Sequence, residues 1–168
     1  MTTPPAETAS PPPAERANGD SGTTTIAVGL DGSEPSWSAF WWACGEAKRT
    51  EGEVLAVYVS CMADTRMAMA AAAGLDSTAY TVTREEAVRE RSQRLESEVA
   101  QAAKQLAVPV RFIHLQGDPA VELLQAARDM RCDVVAVGRS AKLHHRIAGS
   151  LGRRLSTARK APIIVIVP

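Results

Sequence analysis

Thr25-Ile-Ala-Val-Gly-Leu30, followed at once by Asp31-Gly-Ser-Glu-Pro-Ser36, is the stretch whose reading decides the fold. Its first six residues are short, β-branched and apolar on both faces, which predicts a buried strand rather than a half-solvated one. Asp31 and Gly32 supply a turn. Ser33 is then placed as the N-cap of a helix, with Pro35 in its first turn. That helix runs to about Arg49, with Ala39, Trp42, Ala43, Glu46 and Ala47 at three- and four-residue spacing, and Gly52 is placed to end it. Glu53 to Ser60 contains Val54, Leu55, Val57, Tyr58 and Val59 and predicts a second buried strand. The unit is βαβ.

The same alternation continues towards the C-terminus. The Ala- and Met-rich stretch from Cys61 to Val82 has too little regular pattern to assign. Thr83-Arg-Glu-Glu86 has capping-box spacing, and Val88, Leu95, Val99, Ala102 and Leu106 trace one apolar stripe through a long charged helix that Pro109 stops. Val110 to Leu115 predicts a third strand, and Asp118 and Pro119 cap and open another helix. Cys132 to Gly138 reads as a fourth strand, Ser150 to about Lys160 as a fourth helix, and Pro162 to Val167 as a fifth strand. Strands apolar on both faces, separated by amphipathic helices, require a parallel sheet covered on both sides by right-handed crossovers. The expected class is therefore α/β, doubly wound and five-stranded. With strand order 3-2-1-4-5, the order reverses between strands one and four, and the loops after Leu30 and Val137 face each other across a ligand crevice.

Composition bounds what that crevice serves. The chain has 168 residues with 19 basic and 19 acidic side chains, so no net field favours nucleic acid or anionic membrane. No run of 18 uncharged apolar residues occurs, and the first residues lack a basic and an apolar region in series, so a cytoplasmic location is expected. Cys44, Cys61 and Cys132 are odd in number and share no Cys-x-x-Cys spacing, which supports neither a disulfide framework nor a zinc site. Residues 1–24 hold no Val, Ile, Leu or aromatic side chain but carry Pro4, Pro5, Pro11, Pro12 and Pro13. Such a segment has nothing to bury and is expected to be a disordered tail with polyproline character, leaving residues 25–168 as the single domain.

The loop after strand four reads Gly138-Arg-Ser-Ala-Lys-Leu-His-His-Arg-Ile-Ala-Gly149-Ser150 and ends on a helix start. Backbone amides there, with Arg139, Lys142 and Arg146, suit a phosphate. A P-loop Gly-Lys-Ser/Thr and a Gly-x-Gly-x-x-Gly after strand one are both missing, which argues against a Walker-type nucleoside triphosphatase and a typical dinucleotide dehydrogenase. His144 and His145 are adjacent and point about 100° apart on a helix, unlike a chelating i, i+4 pair. His114 has no Ser nucleophile or carboxylate near it in sequence, and no Gly-x-Ser-x-Gly occurs, so hydrolase chemistry is not expected.

Taken together, Ile26 to Ser36, Leu55 to Val59, Gly117 to Ala120, Asp133 to Gly138, Gly149-Ser150 and Pro162 to Val167 resemble the universal stress protein family in order and spacing. The resemblance implies an adenine-nucleotide α-hydrolase-like sheet of order 3-2-1-4-5, a homodimer joined through the last strand, and ATP or AMP held between strands one and four. By the same resemblance Asp31 contacts the ribose or a metal, Val57 the adenine, and Gly138, Gly149 and Ser150 the phosphates, with Arg139 beside them. A non-catalytic, stress-regulatory role follows from it, with a nucleotide-free dimeric interaction module as the alternative. The fourth loop departs from the family's Gly-x2-Gly-x9-Gly-Ser/Thr: Ala141 replaces the second glycine, and Gly138 and Gly149 are two residues too close. A β-carbon at position 141 restricts both backbone conformation and phosphate approach, so weakened binding, or a shift towards AMP, is expected.

Overall fold

The computed structural model describes residues 23–60, 77–139, 151–156 and 162–168. Within them strand and helix alternate as β1 (Thr25–Gly29), α1 (Glu34–Arg49), β2 (Glu53–Ser60), α2 (Ser77–Leu106), β3 (Val110–Gln116), α3 (Pro119–Asp129), β4 (Val134–Gly138), α4 (Leu151–Ser156) and β5 (Ile163–Val167). The strands form one parallel sheet in the expected order, β3-β2-β1-β4-β5. At its centre Ile26 pairs with Val54 on one side and Val134 on the other.

Right-handed crossovers that leave β1 in opposite directions must put their helices on opposite faces. Accordingly α1 and α2 cover one face, where Ile26, Val28, Leu30, Val54, Ala56 and Tyr58 pack with Phe40, Ala43, Leu95 and Val99. On the other face α3 and α4 cover Ala27, Leu55, Val57, Val135 and Val137 through Leu123, Leu124, Ala127 and Leu155. Both clusters are built from apolar side chains, and each fully buried Val, Leu or Phe contributes about 1.5–3 kcal/mol.

Ser33 caps α1 through its hydroxyl on the Ser36 amide (3.4 Å), and Asp118 caps α3 by accepting from Ala120 and Val121 (3.0 and 3.2 Å). Four local readings are corrected. Helix α2 begins at Ser77 rather than Thr83, because capping-box spacing also occurs inside a helix and the preceding residues extend it. On α1 the buried face holds Phe40 and Cys44, while Trp42 and Glu46 lie half-buried on its flank, so the stripe is rotated from the expected one. Asp133 precedes β4 instead of lying within it, and its carboxylate accepts the Thr25 amide (2.8 Å), stitching the foot of β1 to β4. The end of α1 uses Glu51, at φ 52°, as its left-handed residue. Gly52 is there for another reason: a β-carbon on it would lie 2.1 Å from the Thr24 carbonyl oxygen.

Residues 1–22 of the expected tail and 157–160 of the expected fourth helix lie outside the described residues. Among the described residues, no helix is long and apolar enough to cross a membrane.

Candidate functional site

The first turn of α1 is where the loop after β1 and the end of β4 meet. Asp31 opens that turn. Its Oδ1 accepts from the Ser33 amide (2.9 Å) and from the Ser33 hydroxyl, and its own amide donates to Ser36 Oγ (3.3 Å). Ser36 Oγ in turn donates to the Ser33 carbonyl (2.8 Å), so the turn is closed by its own side chains. Partial burial pushes the Asp31 carboxyl upward, but the two Ser33 hydrogen bonds, with Ser36 and the Arg91 charge, outweigh it and hold the group below the usual carboxylate value. Asp31 is thus an exposed anion at neutral pH, beside the positive end of a helix. Gly32 follows at φ 77°, a left-handed conformation that glycine adopts without penalty.

Gly138 reaches the same turn from β4. A β-carbon there would sit 2.1 Å from the Pro35 carbonyl oxygen and 2.7 Å from the Ser36 nitrogen, so only glycine lets the strand end touch the helix. Arg139 is exposed beside it, with its amide fixed by the Val167 carbonyl (2.8 Å). Val57 lies on the α3/α4 face of β2, buried, its carbonyl taken by the Leu30 amide (2.9 Å). The structure therefore brings Asp31 and Gly138 to one helical turn, places Arg139 next to Gly138, and sets Val57 within the sheet below. Gly149 and Ser150 lie outside the described residues, as do Ala141, Lys142, His144, His145 and Arg146.

Arg91 is a neighbour of this turn that sequence reasoning missed. From the middle of α2 its guanidinium donates to the Asp31 carbonyl, while Leu95 of the same helix packs 3.3 Å from where a Gly32 β-carbon would stand. Arg89, Arg91 and Arg94 look alike in a charged helix, so no periodicity singles Arg91 out. Gly117 and Asp118 have structural work. Asp118 Oδ2 pairs with Arg154 of α4 at 2.9 Å, and that hydrogen bond lowers the Asp118 carboxyl below its usual value.

His114 does have a serine beside it in space. Its Nε2 lies 3.0 Å from Ser60 Oγ on the neighbouring strand, and its ring stacks on Tyr58 at 4.9 Å. The direction of that bond follows the His114 tautomer, and the Ser60 hydroxyl also has the Leu115 carbonyl as an acceptor (3.3 Å). Burial lowers the His114 value. Cys44 and Cys132 are buried thiols, and burial pushes Cys44 up to about 11. Among the described residues, no group of three or more His, Cys, Asp or Glu side chains is arranged to hold a metal ion.

Comparison with known proteins agrees with this fold. A curated relative, universal stress protein MJ0531 of Methanocaldococcus jannaschii, is 26% identical over 151 residues, spanning 89% of this chain and 85% of the relative. Among solved structures, hypothetical protein MJ0577 superposes with a TM-score of 0.71 at 15% identity, over 88% of this chain and 96% of that one. A universal stress protein family member from Burkholderia pseudomallei superposes with a TM-score of 0.66 at 24% identity, over 88% and 98%. The model of the universal stress protein family matches residues 22–167, and the chain belongs to that family.

Proposed function

We propose that this chain is a non-catalytic regulatory protein that binds an adenine nucleotide, ATP or AMP, weakly in the crevice between the carboxyl ends of β1 and β4, and that it works as a homodimer. The observation that carries the reading is the convergence of Asp31 and Gly138 on the first turn of α1, at the point where the strand order reverses. In this reading the ionised Asp31 accepts from the ribose hydroxyls or holds a metal that the nucleotide brings. Val57 backs the adenine, and Arg139 offsets phosphate charge beside Gly138, Gly149 and Ser150. Two proteins of the same fold support it. One universal stress protein was solved in complex with cAMP (19% identity, TM-score 0.59). A family protein from Arabidopsis thaliana was solved with AMP bound (14% identity, TM-score 0.59).

One observation favours the nucleotide-free module instead. The backbone of Pro35 and Ser36 fills the space beside Gly138, so packing alone accounts for that glycine. Denaturing the purified protein and identifying what it releases separates the two. Release of AMP or ATP in amounts comparable with the protein supports the nucleotide reading. Neither release nor binding when either nucleotide is added leaves the interaction module.

A further inference from the structure

Of the seven Phe, Trp and Tyr residues in the chain, four lie on α1: Trp37, Phe40, Trp41 and Trp42. Phe40 is fully buried and anchors the group. Trp37 stands edge-on to it at 5.3 Å and stacks on Trp41 at 5.9 Å with 29° between the rings, while Trp41 remains 47% exposed. Among the described residues, neither the Trp37 nor the Trp41 indole N–H makes a hydrogen bond. Trp37 also walls a groove of about 470 Å³ that runs between the Asp31–Gly32 turn and α2, with Arg91, Arg94 and Leu95 opposite. The platform offers flat apolar rings and two indole N–H donors, and Glu90 and Glu98 share the groove wall with Arg91 and Arg94.

The complement to such a surface is an extended segment rich in carbonyls and poor in N–H groups. A polyproline II stretch has that chemistry, because proline lacks the N–H and the conformation leaves every carbonyl unpaired. This chain carries three consecutive prolines at Pro11-Pro12-Pro13, a composition that favours that conformation. Its tether begins at the foot of the same helix: the Thr24 carbonyl accepts the Glu53 amide (3.0 Å) beside Gly52, just past the end of α1. From Thr50, Trp41 lies nine positions and Trp37 thirteen positions back along α1, roughly 14 and 20 Å at the helical rise. From Thr24 back to Pro13 is eleven residues, roughly 34 Å in polyproline II. A segment running parallel to α1, with Pro13 towards the N-terminal end of the helix, reaches both rings.

We propose that Pro11 to Pro13 of this chain dock on the Trp37–Trp41 platform of α1. Tethering supplies a local concentration of roughly 1 mM, so a site with an intrinsic dissociation constant of about 0.1 mM is about 90% filled. The test compares the indole N–H resonances of the full chain with those of the full-length triple variant Pro11→Ala, Pro12→Ala, Pro13→Ala, the peaks being assigned with Trp37→Phe and Trp41→Phe. The expected result is that the Trp37 and Trp41 peaks move, the Trp42 peak stays, and acrylamide quenches the variant's fluorescence more strongly. In Trp41→Ala, the amide peaks flanking the proline run move reciprocally. Because the triple substitution leaves the core residues of the described fold unchanged, it decides the matter even where Trp41→Ala fails to fold. Indole peaks that coincide in the two proteins overturn the proposal. Peak positions that change with protein concentration also overturn it, by assigning the occupant to a second copy.

Discussion

Gly138 and Asp31 meet the same helical turn in opposite ways, one by lacking a side chain and one by keeping its charge. Gly138→Ala forces a β-carbon against helix backbone that cannot swing aside, and overpacking of that kind costs about 1–3 kcal/mol. Urea unfolding should show the loss as a lower midpoint at unchanged slope. For Asp31 the sign follows from linkage. Its folded value lies below the ordinary 3.8, so the unfolded chain holds the proton more tightly. The stabilisation is complete above about pH 4 and disappears as pH falls through the lower folded value. Asp31→Asn should therefore narrow the loss of stability on acidification from about pH 6 to about pH 3, read as the difference between unfolding midpoints. Asp118 shifts in the same direction in both proteins and leaves that comparison intact. At this scale the sequence marks Asp31 and Gly138 through their positions at strand ends. It cannot show that Gly138 abuts Pro35, that Arg91 reaches Asp31 across sixty residues, or that Ser60 sits by His114, because all three contacts are made between elements.

The elements themselves were largely legible, since β-branched runs, N-caps and prolines act within a few residues. Ser33, Pro35, Asp118 and Pro119 stand at the helix starts they announce. Helix ends were less readable. Glu51, Ala107 and Arg131 all take left-handed backbone at φ 51–53°, and in each case the next amide bonds back to the fifth residue before it: Gly52 to Ala47, Val108 to Ala103, and Cys132 to Ala127. These are Schellman ends built without glycine, so the usual composition signal is missing. A side chain in that conformation costs about 1–2 kcal/mol, and glycine gives back part of it through unfolded-chain entropy. Glu51→Gly or Arg131→Gly should each raise stability by about 0.5–1 kcal/mol, seen as a higher thermal midpoint. An unchanged or lower midpoint would mean the helix ends are not strained.

At the scale of the whole molecule the sheet ends in two edge strands, β3 and β5. Strand β5 lies outermost next to β4, and Ile163 and Ile166 are 67% and 46% exposed. An apolar edge strand of this kind invites pairing with a second copy, and Pro162 and Pro168 limit the window to β5. Light scattering at micromolar concentration should give a dimer for the native chain and a monomer for Ile163→Lys with Ile166→Lys. A monomeric native chain contradicts the proposed interface. The global topology was readable because a parallel sheet with right-handed crossovers leaves few arrangements, and a family resemblance selected among them. Affinity is harder to read, since in the proposed site it rests on the Gly138 to Gly149 loop, where Ala141 and the shorter spacing depart from the family's Gly-x2-Gly-x9-Gly pattern.

Weak adenine-nucleotide binding in the proposed Asp31 crevice is decided by calorimetric titration of AMP and ATP into the native chain and Asp31→Asn. One lost charge-assisted hydrogen bond is worth about 1.5–3 kcal/mol, or roughly tenfold to a hundredfold in affinity. The predicted result is a weak site, with a dissociation constant approaching about 1 mM, whose binding falls by that factor in Asp31→Asn. Tight binding that survives Asp31→Asn, or no heat from either nucleotide at millimolar concentration, would contradict it.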